Sequence, residues 1–251
     1  MTTPEDQTMT TLTAPELRPA KDFPSDPADL AILVTGAQPL FARDCADTIE
    51  RWDVQIRSGY IEELELDGDE IGNLTFYRLR HDGDNPMYTA AADESELLEH
   101  AVRDVVIHEP VKLATGRYLR YTNQFQGTFA TFVSGISINC QDLLILTYID
   151  IEKRWDGFGL EELAIAEAVR KLGSGCCAVL AIGASDDDEH AEKNRRTLSH
   201  SGFRTYHGDI LVLDPRTSDA QGRLLTQRAR LDRMVEQWNA RDRDEECSDC
   251  G

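Results

Sequence analysis

Six residues, Arg154-Trp155-Asp156-Gly157-Phe158-Gly159, stand between a nearly unbroken apolar run, LLILTYI (143–149), and a stretch of good helix formers, 160–172. Two glycines in such a place let the backbone adopt positive φ and let a ligand approach the main chain. A helix that begins here carries N–H groups with no partner inside the helix, and its dipole favours an anion. A pyrophosphate is the natural occupant. A glycine turn made only for tight strand-to-helix packing is the other reading of the same residues. The spacing matches neither GxGxxG nor the lysine-containing GxxxxGK[ST] loop.

The neighbouring elements must hold this turn. LLILTYI reads as a strand covered on both faces. Leu160 to Leu172 holds no Gly or Pro, and Gly173 and Gly175 close the helix. CCAVLAIG (176–183) reads as a second buried strand, so 142–183 runs strand, glycine turn, helix, strand. A loop and a helix ending at Gly202 follow, then a closing strand, DILVL (209–213), stopped by Pro215. A last helix, roughly 219–243, carries Leu224, Leu225, Leu231, Met234, Val235 and Trp238 at helical spacing. That stripe docks either on the domain or on a second copy of the chain, a homodimer.

The amino-terminal half carries no motif. Residues 1–28 hold five of the nine prolines and show no apolar period, which predicts a disordered or loosely attached tail. DLAILVTG (29–36) reads as a strand. Residues 42–59 read as a helix with Ile49, Trp52 and Ile56 near one side. Residues 60–80 read as a hairpin turning at Asp67-Gly68-Asp69, with Leu74, Phe76 and Leu79 in its second strand. Residues 93–107 read as a helix, and 117–125 and 128–138 as strands. The expected layout is therefore a tail (1–28), one mixed α/β domain (29–215), and an added amphipathic helix with an acidic end (216–251).

Composition narrows the function. The chain carries 46 Asp+Glu against 26 Lys+Arg, a formal net charge of −20. That excludes a protein built to bind nucleic acid, which needs basic surface, and one built to dock on an anionic membrane. Twelve acids against two arginines fall between Ile61 and His100, either as a solvated face or as a rim that attracts a cation. No apolar window approaches the roughly 20 residues that span a bilayer. The amino terminus shows neither the basic nor the apolar region of an export signal, so a cytoplasmic location with reduced cysteines is expected. Cys247 and Cys250 have the spacing of half a zinc site, but no second pair accompanies them, and no metal is expected. Nor do the histidines show ligand spacing.

The turn and its surroundings resemble the Gcn5-related N-acetyltransferase signature, [QR]xxGx[GA]. Arg154, Gly157 and Gly159 match its three defined positions. Ile149 ends the preceding strand five residues earlier, CCAVLAIG matches the next strand, and Gly202-Phe203 resembles the pair that ends the following helix. The resemblance covers about 142–214 well and the amino-terminal half in outline. It implies a mixed twisted α/β (α+β) sheet with helices on both faces and two central parallel strands splayed apart. It implies an N-acetyltransferase using acetyl-CoA. The pyrophosphate would lie on the turn, Arg154, Trp155, Asp156, Gly157, Phe158, Gly159 and Leu160. The pantetheine arm would lie beside Thr147, Tyr148 and Ile149. An amine would attack the thioester directly, while a backbone N–H near Ile149 polarises its carbonyl.

The chain departs from the family at three points. Asp156 puts a negative charge in the turn. Leu198 stands where many relatives carry a tyrosine acid. Leu143 stands where histone-type relatives carry a glutamate base, and Asp142 is the nearest carboxylate. Tyr206 is a substitute acid. Tyr148 faces either the reaction centre or the core. Lys193, Arg195 and Arg196 either reach a CoA phosphate or form a solvated helix face. Two functions follow: an acetyltransferase for a small-molecule or protein amine, cationic if the acidic rim faces it, or a CoA-binding or regulatory module of the same fold with impaired catalysis.

Overall fold

The computed structural model describes residues 17–37, 48–59, 68–81, 86–107, 124–133, 141–183 and 188–248. Seven strands among them form one mixed sheet: β1 (Leu30–Ala37), β2 (Ile49–Ser58), β3 (Asp69–Leu79), β4 (Asp142–Ile151), β5 (Cys176–Ile182), β6 (Arg204–His207) and β7 (Ile210–Leu213). Their order is β1-β2-β3-β4-β5-β7-β6. All neighbours pair antiparallel except β4 and β5. The mixed α/β class expected from the sequence is therefore what the chain adopts.

Helices cover both faces. On one face lie α1 (Met87–Glu94), α2 (Glu96–Arg103) and α3 (Gly127–Phe132), whose Met87, Leu98, Val102 and Phe129 join Leu143, Ile145 and Leu180 in one core. On the other lie α4 (Leu160–Leu172) and α6 (Ser218–Ser248), while α5 (Asp188–His200) adds Leu198 to that side. There Ile165 and Val169 meet Val54, Phe76 and Leu144. Each buried Leu, Ile or Val contributes roughly 1.5–3 kcal/mol of transfer free energy. α6 packs on its own chain through Leu224, Leu231, Met234 and Trp238, while Leu225 stays exposed.

Several elements differ from the reading of the sequence. Residues 42–59 were expected to be helical; the described part is strand β2. Val54, Ile56 and Ser58 alternate inward, a period of two that the apolar Ile49, Trp52 and Ile56 concealed. Residues 128–138 were expected as a strand, yet α3 occupies the start, anchored by buried Phe129. Tertiary packing overrides the β preference of its Thr and Phe residues. The 93–107 helix is split at Ser95, which is extended (φ −165°) and whose hydroxyl caps α2 by accepting from the Leu98 N–H at 3.2 Å. β6 has only four residues and was missed. The first hairpin strand (60–66) and most of 117–125 lie outside the described residues.

Residues 17–28 belong to the stretch expected as a loose tail, but they are docked. Two short 3-10 turns, Ala20–Asp22 and Pro27–Asp29, lead into β1, and Phe23 is 4% exposed. Its ring stands edge-on to Trp155 at 5.1 Å and to Phe158 at 4.7 Å. An isolated phenylalanine in a proline-rich run gives no periodicity, so its burial could be read only from its partners.

Candidate functional site

β4 sets the geometry of the site. It is paired with β3 along its length, but its parallel ladder with β5 ends at Leu146↔Ala181. From Thr147 to Ile151 the β5 side of β4 has no strand partner among the described residues. The register with β3 also breaks here, since Thr75 faces Tyr148 and Phe76 faces Leu146. Thr147 is thus the extra residue of a β-bulge, and its hydroxyl donates to the Thr75 carbonyl at 3.2 Å. Bulges re-aim neighbouring side chains and end pairing.

Beyond Ile151 the chain makes a 3-10 turn, Lys153–Trp155, and then the glycine turn. Gly157 (φ 82°) and Gly159 (φ 71°) both take left-handed backbone, where a side chain would strain the chain. Gly159 is the N-cap of α4, and no side chain among the described residues caps that helix end. Its first N–H groups therefore keep free bonding capacity. Trp155, Phe158 and Leu160 are 2%, 1% and 2% exposed, so they serve the core and can offer a ligand only their backbone. Trp155 Nε1 is buried with no hydrogen-bond partner among the described residues. Arg154 lies on the surface, paired with Glu152 at 2.7 Å.

The charge on Asp156 is compensated. Lys193 Nζ, from α5, lies 3.0 Å from Asp156 and 3.2 Å from Glu161. Burial works to lower the Lys193 pKa, but the hydrogen bond to Asp156 and the charge of Glu161 outweigh it and raise it. Lys193 is thus partly exposed but ion-paired, and it ties α5 to the turn. Arg195 and Arg196 are exposed, and Arg196 pairs with Glu192 at 2.9 Å. Glu161 and Glu162 are each 5% exposed in the first turn of α4, a placement the helix dipole favours. Burial, helped by Glu161, raises the Glu162 pKa.

The three residues singled out for acid–base work are not brought together. Asp142 Oδ2 accepts from Arg78 Nη2 at 2.6 Å, and Oδ1 accepts from the His81 N–H at 3.0 Å. It stands six residues from Tyr148, roughly 20 Å along the strand at about 3.3 Å per residue. Tyr206 Oη lies 2.8 Å from Thr128 Oγ1, and its ring packs edge-on against Phe129 and Phe132. Its strand, β6, lies three places from β4, roughly 14 Å across the sheet. Tyr148 alone is open, with 51% exposure on the strand tip beside the bulge. Some burial and the neighbouring Asp150 raise its pKa, so it holds its proton.

Tyr148 sits in a polar surface that the sequence did not reveal. Asp53, Thr75 and Tyr148 face one another in register across β2, β3 and β4, and Gln55, Asn73 and Asp150 form the next row. Asp53 Oδ1 accepts from Thr75 Oγ1 at 3.1 Å and from Arg51 Nη2 at 3.1 Å. Tyr77 lies close to Arg51, Asp53 and Glu94; burial and then Glu94 raise its pKa against the pull of Arg51. Asn73 Oδ1 is buried without a partner among the described residues. Asp53 was hidden because 42–59 reads as a helix. Strand alternation from Val54 and Ile56 was the signal that could have found it.

Among the described residues no helix is long and apolar enough to cross a membrane, and no group of three or more His, Cys, Asp and Glu could hold a metal. No protein-family model matches the chain, and no curated protein matches it.

Proposed function

We propose that this chain is an acyl-CoA-dependent N-acetyltransferase of the Gcn5-related type, acting on an amine. One observation carries the reading. The β4–β5 ladder stops at Leu146↔Ala181 while β4 runs on from the Thr147 bulge into a glycine turn and an uncapped helix end. The free side of β4 would pair with an extended amide-containing arm, and the helix end would receive an anion. Those two features suit the pantetheine arm of a CoA molecule and the pyrophosphate next to it. The residues present fit the group: the turn offers backbone donors, and Lys193 offsets the Asp156 charge. Acetyl-CoA would supply the activated acyl group as a thioester.

The chain's own residues then have definite tasks. Backbone N–H groups from Gly157 to Leu160 would bind the pyrophosphate, whereas those of Trp155 and Asp156, expected from the sequence to share in this, already donate to the Glu152 and Lys153 carbonyls at 2.8 and 3.3 Å. The open edge at Thr147, Tyr148 and Ile149 orients the pantetheine amides, and a backbone N–H near Ile149 hydrogen-bonds the acyl oxygen. Tyr148, holding its proton, would donate it to the departing sulfur, and the proton released by the attacking amine would pass through solvent to restore the phenol. Asp53, Asp150 and Glu94 attract the acceptor and favour a cationic amine. Calorimetry with acetyl-CoA tests the reading. Binding is expected, and Gly157→Glu is expected to abolish it, because a side chain at this positive-φ position strains the turn and meets the Arg18 side chain that holds it. No binding by the wild-type chain at millimolar acetyl-CoA would reject it.

The second reading, a CoA-binding module without turnover, is favoured by a specific fact. Asp142 and Tyr206 are both committed to other partners, and Leu198 is buried at 2% exposure. CoA-dependent thermal stabilisation with no thiol release over a broad amine panel would select it. Thiol release with any amine would exclude it.

A further inference from the structure

Four of the five carbonyls from Arg154 to Phe158 are held by two arginines from outside the strand–turn–helix unit. Arg18 Nη1 donates to the Arg154 carbonyl at 3.2 Å and reaches the Asp156 carbonyl at 3.5 Å. The Arg18 backbone N–H donates to the Gly157 carbonyl at 3.0 Å. Arg230 Nη2, from α6, donates to the Phe158 carbonyl. Arg18 lies just before the Ala20–Asp22 turn, and that turn packs on α6, which carries Arg230.

A trans peptide is planar, and the N–H that follows a carbonyl points the opposite way. Holding the carbonyls of residues 156, 157 and 158 toward the arginines turns the N–H groups of Gly157, Phe158 and Gly159 away from them. No backbone carbonyl among the described residues accepts from these three N–H groups. The constraint matters because positive-φ glycines left alone sample many orientations. Both arginines are fixed in their turn. The Arg18 guanidinium lies 4.5 Å from the Phe158 ring centre, and Arg230 fills the space a Cβ on Gly159 would need.

We infer that Arg18 and Arg230 are positioning residues for the anion site, locking the peptide planes of the turn so that its N–H groups face the pyrophosphate of the cosubstrate. The inference rests on the acetyltransferase reading for the identity of that anion. It makes the amino-terminal segment and α6 working parts of a site whose sequence signature lies entirely in 154–159.

The test uses the full chain and two measurements. The first is backbone 15N relaxation without ligand. Amides of Gly157, Phe158 and Gly159 are expected to be as ordered as those of α4 in the wild type. In Arg230→Met and Arg18→Met they are expected to fall toward flexible-loop order parameters, below about 0.6. Unchanged order in both variants overturns the inference. The second is calorimetry with acetyl-CoA and with inorganic pyrophosphate. Each Met variant should bind both at least about tenfold more weakly, with Arg230→Lys in between. Equal affinity in the wild type and both Met variants also overturns it. If the wild type binds neither ligand, the acetyltransferase reading fails instead, and the relaxation result alone decides the inference. Should Arg230→Met fail to fold, Arg18→Met carries both measurements, because Arg18 is exposed and outside the sheet.

Discussion

Glu162 shows how one side chain links the site to stability. It is buried in the first turn of α4, beside Glu161, with Arg230 and Lys193 close enough to oppose the cost of its charge. His200 Nδ1 lies 3.9 Å from it, and burial lowers the histidine's pKa. Because burial leaves the Glu162 pKa raised, the folded state holds a proton that the unfolded chain has already released. Its contribution to stability therefore falls as pH rises from the ordinary carboxylate range through the folded value. Glu162→Gln removes that titration and leaves His200 common to both proteins. The Tm difference, variant minus wild type, should be more positive at about pH 7 than at about pH 4. A pH-independent difference in thermal unfolding would contradict this account. Cys177, in the core on the other face of the sheet, is a simpler case, since burial pushes its thiol up to about 12 and leaves it unreactive.

At the scale of elements, the motif-bearing unit was readable and its supports were not. The helix expected at Leu160 to Leu172 matches α4 at both ends, because good helix formers, a preceding glycine turn and a following Gly173 all agree. The chain before β4 sends weaker signals. β2 was mistaken for a helix because three apolar residues happened to fit a helical period, and α3 was mistaken for a strand because it is short and rich in Thr and Phe. The amino-terminal segment carries no period at all, yet Phe23 fills the space between Trp155 and Phe158. Phe23→Ala should cost about 3–5 kcal/mol, the usual range for emptying a buried aromatic site. Urea unfolding reads the loss directly. A change within about 0.5 kcal/mol, as for a surface residue, would show that the segment is not docked.

At the scale of the whole molecule, the −20 net charge acquires a direction. Of the acids between Ile61 and His100, Glu94 lies next to Tyr77 on the sheet face that holds Asp53, Tyr148 and Asp150. These come from β2, β3, β4 and α1, and only sheet pairing brings them together. If this face receives the acceptor, cationic amines should be turned over faster than neutral ones of similar size. The advantage should shrink as salt rises, because exposed charges are screened within about 8 Å at physiological ionic strength. Thiol-release rates across an amine series at low and high salt measure this. Equal salt dependence for neutral and cationic amines would remove the acidic face from acceptor recognition.

The order of residues alone was enough to read the mixed α/β class, the strand–turn–helix–strand unit of 142–183, and the glycine turn between its first strand and its helix. Those features rest on contiguous residues, where propensity, apolar runs and glycine conformation act locally. Only the tertiary structure showed that the β4–β5 ladder ends at Leu146↔Ala181 while β4 continues to Ile151, that Lys193 compensates Asp156, and that Arg18 and Arg230 reach the turn. It also showed that Tyr206 and Asp142 are occupied elsewhere. Each of these pairs joins residues far apart in sequence, and such contacts leave no trace in local spacing. They exist because the folded sheet and its covering helices bury a shared core and so place distant segments side by side.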